Sequence, residues 1–297
     1  MFNFLAQFII LSILATTGFL PTVPSERPAD LAGPQKINPE NIGVELTAKS
    51  AVVLDAKSGK ILFSKNAGEA RPIASITKLM TALVFLDHNP GWEKVVAITE
   101  DDQRVGGIIY LAPGGKVTVR DLFNLTLISS TNEAAVALAK STGLELVEFV
   151  NLMNAKAAEL GLQNTKFVEP TGLEPGNVST AYELSQLARA AFSQPEIVEA
   201  TAKSRYNFSL ANSGRKIIAY STDDLLGSFL NDENFGYRLL GAKTGYLNEA
   251  GYCLTSQIIK GENPIIITLL GSQTEKDRWQ EAKGLAEWTY ENYEWPQ

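Results

Sequence analysis

Three short groups of residues have the types and spacing to do chemistry: Ser75-Ile76-Thr77-Lys78, Ser130-Thr131-Asn132 and Lys243-Thr244-Gly245. A serine hydroxyl is a poor nucleophile until a base removes its proton. The chain has one histidine, His88, followed by Asn89-Pro90 at what reads as a helix end, and nothing around it resembles a nucleophile elbow. Lys78 lies three residues after Ser75, one turn along the same helix face. A lysine acts as the base only if its pKa falls, and burial or a nearby cation such as Lys243 lowers it. The Ser130 hydroxyl can relay a proton to a leaving group, and the Asn132 amide can hold a peptide group. Lys243 and Thr244 suit a carboxylate, and Gly245 on a strand edge lets an extended substrate backbone come close.

Taken singly, each group has a plainer structural reading. Ser75 and Lys78 can be an N-cap serine with an exposed lysine. Ser130 to Asn132 can be a helix N-cap ahead of Glu133-Ala134-Ala135, and Lys243 to Gly245 a polar strand end with a turn glycine. The chain also contains a second copy of the first pattern, Ser213-Gly214-Arg215-Lys216, and of the second, Ser64-Lys65-Asn66. The former sits in a turn-like Asn-Ser-Gly stretch and the latter at a strand end, whereas Ser75 opens an amphipathic helical pattern just after Arg71-Pro72.

The elements that must position these groups follow from periodicity. Strand patterns cover 50–56 and 61–65, with a hairpin turn at 57–60 between them, and return at 239–244, 251–259 and 264–270. Helical patterns cover 75–88, about 120–141, 144–160 and 180–192, and a last one about 275–293. Strands at both ends with helices between them predict one sheet built from the two ends of the chain and a helical lobe, about 80–205, inserted within it. The composition, 45% hydrophobic and 20% charged over 297 residues, is that of a globular protein able to bury a large core. A net charge of −7 with no basic run argues against nucleic-acid binding. The single cysteine, Cys253, excludes an intrachain disulfide and a cysteine-based zinc site.

Residues 2–20 form an uncharged hydrophobic segment without a basic flank, which reads as an uncleaved membrane anchor or a cleaved signal. Either sends the rest of the chain out of the cytoplasm. Residues 21–49 read as a linker, so compact structure is expected to begin near Ser50 and run to 297.

In order and context the three groups match the signature of penicillin-recognising serine enzymes. From about Ser50 to Glu291 the chain resembles the D-alanyl-D-alanine carboxypeptidases among the low-molecular-weight penicillin-binding proteins. The resemblance extends over 66–78, over Gly106-Gly107 to Val119, over Phe167 to Leu173 with Ser179-Thr180-Ala181, and over Gly241 to Tyr246 with Ala250-Gly251-Tyr252. It implies an α+β fold of the β-lactamase/transpeptidase type, an antiparallel sheet flanked by helices with an all-helical lobe. It also implies that Ser75 attacks the carbonyl between the two terminal D-alanines of a peptidoglycan stem peptide, with Lys78 as general base and Ser130 assisting departure of D-alanine. The backbone N–H groups of Ser75 and Tyr246 would form the oxyanion hole, and Arg278 would grip the terminal carboxylate. β-Lactam antibiotics would acylate the same serine, and no metal or organic cofactor is implied. Glu169 stands where the family more often has Asn or Asp, and no role is assigned to it. The same motifs serve endopeptidases that cut cross-links. A class A β-lactamase would need a glutamate that activates the deacylating water, and no such loop occurs between 133 and 243. A non-catalytic wall-binding relative would be expected to lose one of these residues.

Overall fold

The computed structural model describes residues 33–296. Five strands form one antiparallel sheet: β1 (Ser50–Asp55), β2 (Ile61–Lys65), β3 (Tyr237–Leu247), β4 (Gly251–Lys260) and β5 (Asn263–Ser272). Their spatial order is β3-β4-β5-β1-β2, so the two ends of the chain meet where β5 pairs with β1, Ile267 opposite Val53. The β1–β2 turn closes through Asp55, whose Oδ2 accepts from the backbone and hydroxyl of Ser58, with Gly59 at φ +74°.

Both faces of the sheet are buried, and the period of two in the strands divides the residues between them. On β1, Val52 and Leu54 join one buried cluster while Ala51 and Val53 join another. The first cluster is covered by helices α1 (Thr77–Asp87), α2 (Val119–Ile128), α3 (Asn132–Ser141), α4 (Leu146–Glu159), α5 (Ala181–Ala191) and α6 (Pro195–Thr201). The second is covered by α7 (Glu275–Asn292) through Trp279, Leu285 and Trp288. Removing one of these fully buried side chains, as in Leu54→Ala, costs about 2–5 kcal/mol. Several helices begin where a side chain satisfies their first free N–H groups: Thr118 with Asp121 before α2, Thr180 before α5, and Thr274 with Asp277 before α7.

Several expectations change. The helical pattern over 120–141 is two helices, broken at 129–131 within the polar run Ser129-Ser130-Thr131-Asn132-Glu133. α1 is not amphipathic: every residue from Thr77 to Phe85 is buried, because it runs through the middle of the core. Lys243 to Gly245 do not end a strand, since β3 continues to Leu247. The C-terminal part of the expected linker is packed. Gln35–Lys36 pairs with Tyr293–Glu294, Leu46 and Ala48 are buried, and the backbone N–H groups of Thr47 and Ala48 donate to the Glu281 carboxylate. The hydrophobic segment expected at 1–20 lies outside the described residues. Among the described residues no helix is long and apolar enough to cross a membrane.

Candidate active site

Ser75 sits in a 3-10 turn, Ala74–Ile76, that leads directly into α1. Two of the three non-glycine residues with positive φ among the described residues flank the site: Ala74 at +48°, beside Ser75, and Ser130 at +58°, in the break between α2 and α3. Strain of this kind persists only where the surroundings enforce it. β3 packs directly against this turn. A Cβ added to Gly245 would lie 3.0 Å from Ala74 Cβ, Ile73 O and Ser75 N. Gly245 therefore lets the strand approach the turn that carries Ser75. The same contact brings the Ser75 N–H to within one residue of Tyr246.

The Lys78 amine reaches back one turn to Ser75 Oγ, at 2.8 Å. It also donates to Asn132 Oδ1 and to the Thr171 carbonyl, both at 2.7 Å. These last two partners cannot donate in return. A neutral Lys78 therefore keeps its two N–H bonds there and presents its lone pair to the Ser75 hydroxyl. Lys78 is 0% exposed, and burial lowers its pKa from 10.5 to about 7, against the opposing pull of the Glu169 and Glu133 carboxylates. The amine is thus tuned to the range in which a general base works.

Asn132 bridges the two sides of the site. It is the first residue of α3, and its Nδ2 donates to the Gly106 carbonyl at 2.9 Å while its Oδ1 accepts from Lys78. The helix N-cap is Thr131, not Ser130, and it makes no side-chain capping bond; its hydroxyl pairs instead with that of Ser129, at 2.7 Å. Ser130 is left free to face Lys243, whose Nζ donates to Ser130 Oγ at 2.7 Å and to the Thr244 carbonyl at 3.2 Å. Lys243 is 1% exposed, and its pKa is driven well below 10.5 by burial first and then by the neighbouring Lys78 and Arg278 charges. The Thr244 hydroxyl shares a 2.7 Å bond with that of Thr222.

Tyr246 is half exposed, with its ring against Tyr252 at a centroid distance of 4.4 Å. Arg278, in the first turn of α7, is buried between Trp279 and Tyr252 and pairs with Glu275 at 3.1 Å. Ser75, Ser130, Asn132, Thr244, Gly245, Tyr246 and Arg278 all line one cleft of about 820 Å³. The structure thus gathers the widely separated groups into one site and leaves the decoys outside it. Ser213 lies in a hairpin loop between Arg205–Ser209 and Lys216–Tyr220. Cys253 is buried in β4 with its thiol pushed up to about 11 by burial, which makes it a poor nucleophile.

Sequence reasoning missed three contributors. The Thr171 carbonyl is a backbone group and leaves no residue-type signal. Glu133 reads as an ordinary first-turn residue, yet its Oε1 accepts from the backbone of Tyr110 and Leu111 and fixes the loop that carries Gly106. Thr222 precedes Asp223, a buried carboxylate raised to about 6 by burial while Lys243 and Arg278 pull it the other way. The run Ser221-Thr222-Asp223-Asp224 gives no such hint.

The family model described as D-alanyl-D-alanine carboxypeptidase matches residues 35–274. The chain belongs to this family. Among family relatives, it is 35% identical over 246 residues to a D-alanyl-D-alanine endopeptidase of Pseudomonas aeruginosa, covering 82% of this chain and 77% of the relative. It is 34% identical over 253 residues to the D-alanyl-D-alanine carboxypeptidase DacF of Bacillus subtilis, covering 83% of this chain and 63% of that one. A solved structure of penicillin-binding protein D2 from Listeria monocytogenes with cefotaxime bound aligns at a TM-score of 0.72 and 32% identity, covering 84% of this chain and 99% of that one. The Streptomyces K15 DD-transpeptidase aligns at 0.77 and 26% identity, over 84% and 99% of the two chains.

Proposed function

We propose that this protein is a serine D,D-carboxypeptidase that removes the terminal D-alanine from peptidoglycan stem peptides through an acyl-enzyme on Ser75. The observation that carries the reading is the Lys78 amine, buried, 2.8 Å from Ser75 Oγ and held by two obligate acceptors. Neutral Lys78 takes the Ser75 proton as Oγ attacks the carbonyl of the penultimate D-alanine. The oxyanion forms against the N–H groups of Ser75 and Tyr246. Ser130, beside Lys243, passes its proton to the departing amine and regains one from the protonated Lys78, which is neutral again, and the C–N bond breaks to release D-alanine and leave an ester on Ser75. Water, deprotonated by Lys78, then hydrolyses the ester. Asn132, with one amide N–H not used by the protein, holds the substrate peptide group. Thr244, Lys243 and Arg278 supply the positive and hydroxyl-lined end of the cleft for the terminal carboxylate. β3 is the edge strand of the sheet, so its open side can pair with an extended peptide, Gly245 giving it room. β-Lactams acylate Ser75 by the same attack, as ring amides with a carboxylate placed like that of the terminal D-alanine.

Such substrates lie outside the cytoplasm, which agrees with the hydrophobic segment at 2–20 acting as an export signal or membrane anchor. The Pseudomonas relative, an endopeptidase, favours a second reading in which the same residues cut D-alanyl cross-links. Following D-alanine release from a pentapeptide beside cleavage of a cross-linked dimer separates the two. Ser75→Ala should abolish release while leaving the circular dichroism spectrum unchanged. Release retained by the folded variant would refute the assignment.

A further inference from the structure

Glu169 lies on the loop that follows α4 and makes four hydrogen bonds with its carboxylate. Oε2 accepts from the Thr171 N–H at 2.7 Å and the Thr171 hydroxyl at 2.6 Å. Oε1 accepts from the Gly172 N–H and from Asn177 Nδ2, the latter at 2.9 Å. The clamped loop is pressed onto the nucleophile turn. Gly172 has φ +87°, and a Cβ there would lie 2.0 Å from the Ala74 carbonyl oxygen. Asn177 ties the other side, since its carbonyl accepts from the Ile73 N–H at 3.1 Å and its Nδ2 donates to Thr77 Oγ1 at 3.1 Å. Between these anchors the Thr171 carbonyl points at Lys78 Nζ, and the Pro170 carbonyl accepts from Thr81 one turn further along α1, at 2.6 Å.

We propose that Glu169 is a positioning residue for the reaction: by holding the Thr171 and Gly172 backbone it fixes the carbonyl that orients the Lys78 amine toward Ser75. All four of its partners are donors, so a carboxylate is required. An amide would turn its own N–H groups against one of the backbone N–H groups. The same saturation separates Glu169 from a glutamate that activates water. Its oxygens are already committed, and it lines a groove with Val168, Pro170 and Leu173 rather than the cleft that holds Ser75. Its charge has a second effect. The charges facing Lys78 are Glu169 from this loop, Glu133 from α3 and Lys243 from β3, and Glu169 is the stronger of the two carboxylates holding the Lys78 pKa up.

This inference rests on the assignment of Lys78 as the base for Ser75. It is tested on the full chain by the pH dependence of acylation by benzylpenicillin. Glu169→Gln should lower the plateau rate by about tenfold or more and move the midpoint down by about half a pH unit or more. Glu169→Asp, which keeps the charge but shortens the arm, should lower the plateau by about threefold and leave the midpoint in place. A folded Glu169→Gln with the plateau and midpoint of the unaltered protein would overturn the proposal. Where that variant does not fold, a Glu169→Asp plateau equal to that of the unaltered protein overturns it. An unaltered chain that is never acylated would instead overturn the reading of Ser75 and Lys78.

Discussion

Acylation of Ser75 should follow a single ionisation with its midpoint near the Lys78 pKa of about 7. An ordinary lysine with a pKa of 10.5 would be neutral in only about one molecule in 3,000 at pH 7. With the lowered value, the neutral fraction is roughly 10% at pH 6, half at pH 7 and 90% at pH 8. The second-order rate of benzylpenicillin acylation should therefore rise about tenfold between pH 6 and pH 8 and then level off. Penicillin stays ionised across this range, so the limb reports the enzyme. The assay is the accumulation of acyl-enzyme by intact-protein mass spectrometry after rapid quenching, at a series of pH values. A rate that keeps climbing about tenfold per unit beyond pH 8 would show an unperturbed lysine and refute the reasoning. The same ionisation is linked to stability. Unfolded Lys78 binds a proton below about pH 10.5, but folded Lys78 only below about 7. Between those values unfolding takes up a proton, so this group makes the fold less stable as pH falls across the window, and Lys243, also lowered, acts in the same direction.

Gly245→Ala should cost about 1–3 kcal/mol in thermal unfolding, since the new Cβ meets three atoms at 3.0 Å and either β3 or the nucleophile turn must move. Its acylation rate should fall on the order of 100-fold; an unchanged rate would mean that the strand does not position Ser75. Ser130→Ala should slow D-alanine release by about 100-fold or more while preserving the fold, and release within a few-fold of the unaltered protein would rule out the proton relay. Arg278→Ala should weaken use of the peptide far more than acylation by penicillin, whose carboxylate Lys243 and Thr244 can hold. Equal losses for the two would argue against Arg278 as a carboxylate grip.

Where the sequence is legible, the reason is local. Ser75 and Lys78 lie one turn apart, so their meeting needs only a helical turn. The strands around Val52 and Ile267 alternate toward two buried faces and are readable as strands. The helical pattern around Ser130 and the strand pattern around Lys243 also predict that the two come from different elements. What stayed hidden depends on packing. The break at Ser129 to Thr131 had a signal, the polar run from Ser129 to Glu133 that also reads as a helix N-cap, but a single helical pattern over 120–141 runs over it, and the left-handed Ser130 has no residue-type signature. α1 reads as amphipathic because its Thr77, Lys78 and Thr81 look like a solvent face, yet each is buried and hydrogen-bonded. The orienting Thr171 carbonyl has no residue type at all, and nothing in the local pattern marks Glu169 as the carboxylate that holds its loop. Leu46 and Ala48 read as linker residues because the helix that covers them, α7, lies at the other end of the chain.

The most direct test of the account is intact-protein mass spectrometry of the full chain mixed with benzylpenicillin, followed over time and mapped by peptide digestion. One penicilloyl adduct per chain is expected, located on Ser75, that outlasts the mixing time by many minutes. No adduct, an adduct on another residue, or rapid loss of the adduct while penicillin is consumed would contradict it.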